Sequence, residues 1–268
     1  MASSQPHTGH LFGGRYTTTH GSWDVALRAC GESYEVVELS AMRADTVATA
    51  ADVNNYSALF TAPRAGADRY HDWAEFEWIA RLGNIDTRKT RVWRIAETQT
   101  WATFLGQATD PGTDDFQLPL PAALWRGWSR HRSNVPRALF WPSEQFGHLW
   151  LTHPRSLPRY IRLGSDMSAD ALVFALSGFV EPRLVTLDIG AATPGFCEAL
   201  RRIFPGRIAR MEPFSEFQIA APIRSQIRAL ENPSMFLPAL GAARVRAEGA
   251  PTVLRICESS PEFTADGV

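Results

Sequence analysis

The sequence predicts an α/β protein: a mixed sheet flanked by helices in the C-terminal half, and a smaller α+β region in the N-terminal half. Strand-like apolar segments and helix-like amphipathic segments alternate in the second half of the chain. One of them, LVTLDIG (184–190), is an almost continuous apolar run, which is typical of a strand covered on both faces. The chain has 268 residues, 45% of them hydrophobic and 21% charged, so it can bury a sizeable core.

The sequence of the N-terminal half predicts a flexible tail and four secondary-structure elements. Small polar residues and glycines dominate the first residues, which predicts a flexible tail over 1–22. SWDVALRACG (22–31) has a capping serine, helical apolar spacing and a closing glycine, so we predict a short helix there. YEVVEL (34–39) predicts a strand, DRYHDWAEFEWIARLG (68–83) a second helix, and TRVWRIAE (90–97) another strand.

Pro, Gly and Asp crowd the segment ATDPGTDDFQLPLP (108–121), which is the composition of a linker. We therefore predict an N-terminal α+β region over 23–110 and a C-terminal region over 122–258. Beyond the linker, the sequence first predicts the helix PAALWRGWSRHR and then the strands RALFWP, FGHLWLTH and RYIRLG. These are followed by the helix SADALVFALSGF, with Ser168 and Gly178 as caps, the strand LVTLDIG and a helix over 196–204. The last predicted elements are the strand RIARMEP, a polar helix over 222–231, the apolar helix SMFLPALGAARVRA and the strand TVLRICE.

Composition excludes several classes of function. The formal net charge of −1 gives no overall attraction to nucleic acid or to an anionic membrane. Lys89 is the single lysine and lacks the glycines of a P-loop around it. The three cysteines lie far apart, which suits a reducing compartment, and no apolar stretch approaches the roughly 18 residues of a membrane span. We therefore predict a cytoplasmic protein without direct membrane insertion and without a metal site.

The turn after LVTLDIG is the strongest candidate for a binding site. Asp188 comes near the end of the strand, Gly190 and Gly195 allow a ligand to approach the backbone, and Thr193 offers a hydroxyl before a helix N-terminus. Glu212 follows the next strand, where an acid can contact a nucleoside. These five residues are the predicted cofactor-binding set, with ATP and S-adenosylmethionine both open as ligands. The same residue types also suit a tight strand-to-helix joint without a ligand, and the sequence does not decide between the two.

LDIGAATPG, followed at the end of the next strand by Glu212, resembles the first motif of S-adenosylmethionine-dependent methyltransferases. This resemblance implies S-adenosylmethionine as the cofactor. Such enzymes usually carry the motif early and several strand-helix units after it, whereas this chain has few residues beyond Glu212. A methyltransferase-like or other nucleotide-using enzyme is therefore the second hypothesis.

A second resemblance covers more of the chain, about 138–247. LDIGAATPGFCEALRRIF, RIARMEPF and SMFLPALGAARVRA follow one another as the adenosine-binding turn, the next strand and the small-residue helix do in the C-terminal lobe of the actin-like ATPase superfamily. In particular, the tract resembles the degenerate members that scaffold type IV pilus or type II secretion platforms. Asp188 and Ile189 stand where a glycine is expected, and residues 1–60 contain no DxG phosphate loop. The resemblance thus implies a non-catalytic scaffold with protein partners and with weak nucleotide binding or none.

The chain has nine tryptophans, several of them beside Arg or Glu on predicted amphipathic helices. Because tryptophan and arginine are enriched at protein interfaces, Trp73, Trp78, Trp125 and Trp128 are predicted interface residues. The segment LPAALWRGWSRHRSNVP (120–136) also fits an F-box-like pattern, as found in some plant-virus silencing suppressors. An interaction adaptor of that type is the third hypothesis, and a plain proline-started helix explains the same residues.

Overall fold

The structure is a computed structural model, and it describes residues 9–31, 33–40, 46–51, 56–61, 90–97, 100–107, 116–128, 134–144, 146–154, 156–164, 167–248 and 252–255. The chain divides into two compact units. The first unit consists of Met1–Asp52 and Thr113–Ala250, and the second of Val53–Gly112 and Pro251–Val268. Within the part of the chain that the structure describes, no helix has both the length and the apolar character needed to span a bilayer.

The first eight described elements are strands, and helices are interspersed among the strands that follow. Two short 3-10 turns, Pro182–Leu184 and Pro233–Phe236, accompany them. In chain order the elements are β1 (Leu11–Thr18), β2 (Gly21–Cys30), β3 (Ser33–Leu39), β4 (Thr46–Ala51), β5 (Tyr56–Thr61), β6 (Thr90–Glu97), β7 (Thr100–Gln107), β8 (Phe116–Pro119), α1 (Leu120–Trp128), β9 (Arg137–Pro142), β10 (Phe146–His153), β11 (Ser156–Gly164), α2 (Ala169–Ser177), β12 (Thr186–Ile189), α3 (Pro194–Ile203), β13 (Arg207–Arg210), β14 (Gln218–Ile219), α4 (Ala221–Ala229), α5 (Leu237–Ala247) and β15 (Thr252–Arg255).

The first unit contains two mixed sheets with one shared topology. In the first sheet the strand order is β14-β3-β2-β1-β4-β8, and in the second it is β11-β10-β9-β12-β13. Each sheet contains three consecutive antiparallel strands followed by two parallel ones, which are β4 and β8 beside β1 in the first sheet and β12 and β13 beside β9 in the second. The first sheet has in addition the short strand β14, which is parallel to β3 at its edge. The amino-acid sequence shows no repeat, so this correspondence is visible only in the structure.

The second unit has a single four-stranded antiparallel sheet among its described residues, in the order β15-β6-β7-β5. Its strand β15 comes from the end of the chain, and the other three come from the segment between β4 and β8. The strand predicted for 90–97 is confirmed as β6. The helix predicted for 68–83, and with it Trp73 and Trp78, lies outside the described residues.

Helices α1 and α5 lie between the two mixed sheets, and glycines let them approach closely. A β-carbon on Gly241 of α5 would overlap the backbone of Ala123 in α1, and one on Gly127 would lie 2.6 Å from a backbone oxygen of α5. On the other side of α5, a β-carbon on Gly14 of β1 would overlap the backbone at Ala239. Small residues at these positions are therefore a packing requirement, and they explain the segment PALGAA.

The other face of the second sheet is covered by α2 and α3. Leu172 and Leu176 of α2 and Leu200 of α3 pack in one core with residues of the sheet such as Phe140 and Leu187. Strand β12 is paired on both sides, with β9 and β13, and Leu187 at its centre is fully buried. The α/β class and the cap positions of Ser168 and Gly178 are thus confirmed. The interior strand predicted at LVTLDIG is confirmed for Thr186–Ile189, whereas Leu184 lies in a 3-10 turn and is exposed.

Two predictions for the N-terminal half are corrected by the structure. Leu11–Thr18, predicted as part of the tail over 1–22, forms the interior strand β1, because its glycines are needed where α5 approaches. SWDVALRACG forms strand β2 rather than a helix. The spacing of its apolar residues fits both the helical and the strand periodicity, and it forms a strand because it pairs with β1 on one side and β3 on the other. Helix α5, which belongs to the region predicted over 122–258, also packs on β2 and β4 of the region predicted over 23–110.

Replacing Gly241 by Ala tests the close approach of α5 to α1. The added methyl group must displace one helix, so we expect the free energy of unfolding to fall by about 1–3 kcal/mol. The matched control is Gly195→Ala in α3, where a β-carbon would meet nothing within 4 Å. There we expect no loss, or a gain of about 0.4–1 kcal/mol. Urea unfolding of both variants gives the comparison, and equal losses at the two positions would contradict the packing described.

Candidate functional site

The predicted site residues lie at the carboxyl ends of the parallel strands in the second sheet. Ile189, the last residue of β12, is in register with Phe140 of β9 and Arg210 of β13. The turn over 190–195 and Glu212 therefore follow neighbouring strands and reach the same end of the sheet. This is the end at which ligands bind in open α/β sheets. The structure thus brings the predicted residues to one place, and the side chains decide what they do there.

Asp188 points into the protein rather than toward a ligand. Its side chain is 2% exposed. The Trp128 indole N–H of α1 donates to its Oδ2 at 2.9 Å, and the Arg137 guanidinium of β9 donates to the same atom at 2.5 Å. A buried carboxylate needs such partners because its desolvation is costly. Asp188 therefore joins α1 to the second sheet.

Gly190 and Ala191 are engaged in packing on the inner side of the turn. A β-carbon on Gly190 would overlap the ring of Trp141, and the Gly190 N–H donates to the Phe140 carbonyl at 3.0 Å. Ala191 has a left-handed backbone conformation with φ 53°, and its N–H donates to Ser234 Oγ at 3.1 Å. The small residues of this turn are accounted for by close contacts within the protein.

The N-terminus of α3 offers few free donors to an anion. Thr193 is the N-cap, and its hydroxyl accepts a bond from the Phe196 N–H at 3.3 Å. The Thr193 carbonyl accepts from the Cys197 N–H at 3.1 Å, and Pro194 has no N–H to give. Gly195 is exposed with open space around it. Most of the amides that could face a phosphate are thus used by the cap itself.

A contact that the sequence did not predict joins the two sheets at this site. The turn between β1 and β2 and the turn between β9 and β10 occupy corresponding places in the shared topology, and they meet. The Thr19 N–H donates to Glu144 Oε1 at 2.7 Å and the Thr19 hydroxyl donates to the same oxygen at 2.5 Å. These bonds, the hydroxyl first, hold the pKa of the Glu144 carboxyl below its usual value, with a further contribution from nearby His20.

Exposed side chains of both signs lie at this end of the sheet, where the Arg162 guanidinium of β11 lies 4.6 Å from the centre of the Phe146 ring. Glu144 and Glu212 are both exposed there, and Glu212 uses its backbone carbonyl to accept bonds from Ser215. An anionic ligand placed beside the turn would approach two carboxylates. Among the residues with described positions, no three His, Cys, Asp or Glu side chains come together in the manner that a metal ion requires.

The structure assigns two of the predicted interface tryptophans to the core. Trp125 and Trp128 are 3% and 2% exposed. The Trp125 ring lies 5.0 Å from the Trp150 ring of β10 and 6.1 Å from the Trp128 ring, measured between centroids. The whole of α1 is buried, so Leu120–Trp128, the described helical part of the F-box-like segment, has no exposed face to present. The apolar side of this helix faces the second sheet rather than a partner protein.

The fold of this chain is similar to that of solved structures, although its sequence has little similarity to theirs. Neither a protein family nor a curated protein sequence matches the chain. Among solved structures, a chain of a PilM-PilN type IV pilus biogenesis complex is similar with a TM-score of 0.63 and 11% identity, over 88% of this chain and 98% of that one. The chain has an actin-like ATPase-like fold. The resemblance stated for 138–247 is therefore confirmed at the level of the fold.

Two further structures are similar at lower scores. One is a Bacteroides thetaiotaomicron protein with an actin-like ATPase fold and unknown function, with a TM-score of 0.48 and 8% identity over 82% of this chain and 95% of that one. The other is the cytoplasmic domain of EpsL, an inner-membrane component of the type II secretion system of Vibrio cholerae, with a TM-score of 0.41 and 11% identity over 87% and 95%. In this actin-like fold, Thr19, Glu144 and Arg137 are the site residues that sequence reasoning missed.

Replacing Asp188 by Ala tests its role as a buried joint. The change leaves the Arg137 charge and the Trp128 N–H without their acceptor, so we expect a loss of about 3–5 kcal/mol in the free energy of unfolding. The matched control is Glu198→Ala, which breaks a pair with Arg202 of the same 2.5 Å length between side chains that are 65% and 73% exposed. There we expect less than about 1 kcal/mol. Chemical unfolding that gave similar losses would contradict the joint.

Replacing Thr19 by Val tests the contact between the two turns. Without the hydroxyl, the pKa of Glu144 should rise toward its usual value, which a carboxyl-detected NMR titration measures. Because the folded-state pKa is lowered, the contact's stabilisation is complete above the ordinary glutamate pKa and is lost as the pH falls through the lowered one. Ser22→Ala, on the same hairpin but bonded to Thr17 and Asp24, is the control and should leave the titration unchanged.

Proposed function

We propose that this protein is a non-catalytic assembly protein of actin-like ancestry, which holds protein partners in an apparatus of the kind that contains PilM and PilN. The likeness to a chain of the PilM-PilN complex supports this, because it extends over nearly the whole of both chains. The free cysteines Cys30 and Cys197 are consistent with the reducing conditions of the cytoplasm, where we place the protein.

The observation that carries the proposal is the position of the Glu144 carboxylate between the two corresponding turns. A phosphate bound between these turns would meet that negative charge and would compete with it for the Thr19 N–H. The phosphate and the Glu144 carboxylate carry like charges and would repel each other, although solvent reduces this repulsion because Glu144 is exposed. The protein itself thus supplies the anion that the two turns hold, which argues against ATP as a ligand and against hydrolysis.

The predicted cofactor residues support the same conclusion. The Asp188 carboxylate is paired with Arg137 and accepts a hydrogen bond from Trp128. The space beside Gly190 is occupied by the Trp141 ring, and Thr193 caps its own helix. Each has a structural role that needs no ligand. We therefore interpret the turn as a strand-to-helix joint, which was one of the two interpretations that the sequence left open.

A nucleotide-using enzyme of the S-adenosylmethionine type is the second candidate, and one observation favours it. Glu212 and the turn over 190–195 lie at the same end of the sheet, and Glu212 is exposed. S-adenosylmethionine carries no phosphate, so Glu144 would not exclude it by charge. The adaptor hypothesis has no comparable support, because the F-box-like helix is buried.

Thermal unfolding with and without ligand separates these candidates. A ligand present at 100 times its dissociation constant adds roughly 2.7 kcal/mol to stability. We expect no change in the midpoint with ATP and Mg²⁺, and none with S-adenosylmethionine. The matched control is Glu212→Gln, an exposed substitution that should not change the midpoint of the free protein.

A rise in the midpoint with S-adenosylmethionine that Glu212→Gln removes would replace the proposal by the enzyme. A rise with ATP and Mg²⁺ would show that Glu144 does not exclude phosphate. Affinity purification from the native cells completes the test, and we expect components of a pilus or secretion platform to be recovered. Recovery of none of them would contradict the assembly role even if no ligand bound.

A further inference from the structure

Five large apolar side chains are exposed among the described residues, and all of them belong to the first unit. Phe174 lies in the last turn of α2, and the other four lie at, or within two residues of, the ends of α2, α3, β9 and β12. Phe174 is 81% exposed and Leu184 is 59% exposed, which is unusual for residues of this size in a folded protein. Contiguous apolar patches of this kind mark interaction sites. The members of the group are Val135, Phe174, Phe179, Leu184 and Ile203.

Strand register places two of these residues, Val135 and Leu184, at the same end of the second sheet. Arg137 of β9, Thr186 of β12 and Arg207 of β13 are neighbours in the second sheet, at the amino-terminal ends of their strands. Val135 precedes β9 by two residues and Leu184 precedes β12 by two. The segments are also bonded to one another, since the Thr186 N–H donates to the Pro136 carbonyl at 3.0 Å and the Arg207 N–H to the Val185 carbonyl at 3.1 Å.

The two helices that cover the second sheet end in the same region. Helix α3 runs back from β12 to the start of β13, so Ile203, its last residue, lies near Arg207. Helix α2 ends shortly before β12, which brings Phe179 to this end, with the Arg159 guanidinium 5.1 Å from the centre of its ring. Arg159 itself pairs with Leu151, at the same end of β10 and β11. We call the five apolar residues together with the arginines around them the end surface.

The charge of the end surface is positive. Exposed arginines surround the apolar group, and one of them, Arg202, is paired with Glu198. Glu181 is the exposed acid between Phe179 and Leu184. The arginines are Arg159, Arg183, Arg201, Arg202 and Arg207.

We propose that the end surface binds an acidic amphipathic helix of a partner protein. A helix with an apolar stripe can cover the exposed Phe and Leu side chains, and glutamates or aspartates beside the stripe can pair with the arginine rim. The end surface lies at the opposite end of the second sheet from Glu144 and Glu212. The inference rests on the proposed assembly function, for which it names the chemistry of one partner.

Two other occupants fit the end surface less well. The last carbonyls of α2 and α3 point toward it, and they need hydrogen-bond donors that the interior of a bilayer does not supply. A second copy of the chain, placed symmetrically, would bring the same arginines face to face, and such like charges oppose association. A partner with acidic side chains avoids both difficulties.

The test uses two labelled helical peptides and the full chain. Both peptides have Leu and Phe at the i, i+3, i+4 and i+7 positions, and the remaining positions are Glu in one and Lys in the other. We expect fluorescence anisotropy to give a Kd for the Glu peptide at least roughly tenfold lower than for the Lys peptide. The double variant Phe174→Ser/Leu184→Ser should raise the Kd for the Glu peptide by roughly tenfold or more. The double variant Arg183→Glu/Arg207→Glu should bind the Lys peptide more tightly than the Glu peptide.

The matched control is Arg224→Glu/Arg228→Glu on α4. These two exposed arginines line a cavity of about 620 Å³ beside β14, with an apolar floor that includes Phe217. An acidic peptide that bound there instead would lose affinity in this control and keep it in Phe174→Ser/Leu184→Ser, which would overturn the proposal. All six substituted positions are exposed or at the rim, so circular dichroism should show unchanged folding in every variant.

Other results would also overturn the inference. Equal binding of the two peptides would remove the charge argument, and absence of binding by either would remove the docking surface. Sedimentation that showed self-association dependent on Phe174 and Leu184 would assign the end surface to a second copy. Binding to phosphatidylglycerol vesicles that depended on the same two residues, without binding of the Glu peptide, would assign it to a membrane. None of these outcomes bears on the ATP and S-adenosylmethionine measurements, so the two proposals fail separately.

Discussion

The buried carboxylate of Asp188 constrains the first unit more than any other side chain. It is the one acid among the buried residues of the described chain, and the two groups that neutralise it come from different elements. Arg137 fixes β12 against β9, and Trp128 fixes α1 over the second sheet. A buried ion pair adds little net stability, but the free energy of unfolding falls strongly if one partner is displaced, because a buried charge is then left unpaired. The pair therefore acts mainly on specificity, because it leaves α1 and the second sheet a single relative arrangement.

The inward direction of Asp188 also decides what the neighbouring turn can offer to solvent. With Asp188, Gly190 and Thr193 in internal contacts, the outer side of the turn presents Gly195 and the carboxylates nearby, and little that attracts a phosphate. The apolar and positively charged residues are concentrated at the far end of the same sheet. In this chain, therefore, the exposed apolar side chains and the arginines around them lie at the opposite end of the second sheet from the turn over 190–195.

The second sheet was predictable because its signals are local. Its strands are short apolar or alternating segments, its helices begin at Ser168 and Thr193 with capping side chains, and Leu187 lies in an apolar run interrupted only by Thr186 and Asp188. The first sheet was not, because Gly13 and Gly14 lower the strand propensity of β1, and Gly14 is required by a helix more than 200 residues away in sequence. β2 fits two periodicities equally, and only its neighbours settle which applies.

The site was predicted in position but not in chemistry. The turn, Glu212 and the end of β12 do lie together, as strand order requires. What the sequence could not supply is the direction of each side chain and the partners that come from afar. Thr19 and Glu144 are separated by 125 positions, and no local pattern connects them. Trp125 and Trp128 illustrate the same limit, since an aromatic helix stripe beside arginines has one composition whether it meets a partner protein or another layer of its own core.

The place of α5 in the chain has a consequence for how the protein is made. On the ribosome, β1 to β4 emerge early, but the helix that covers them is synthesised only after the whole second sheet has been completed. Until Leu237–Ala247 leaves the exit tunnel, the face of β1 that carries Gly14 has no partner and stays open to water and to chaperones. The second sheet, built almost entirely from contiguous chain, can close first. The part of the first unit that is translated earliest is therefore finished last.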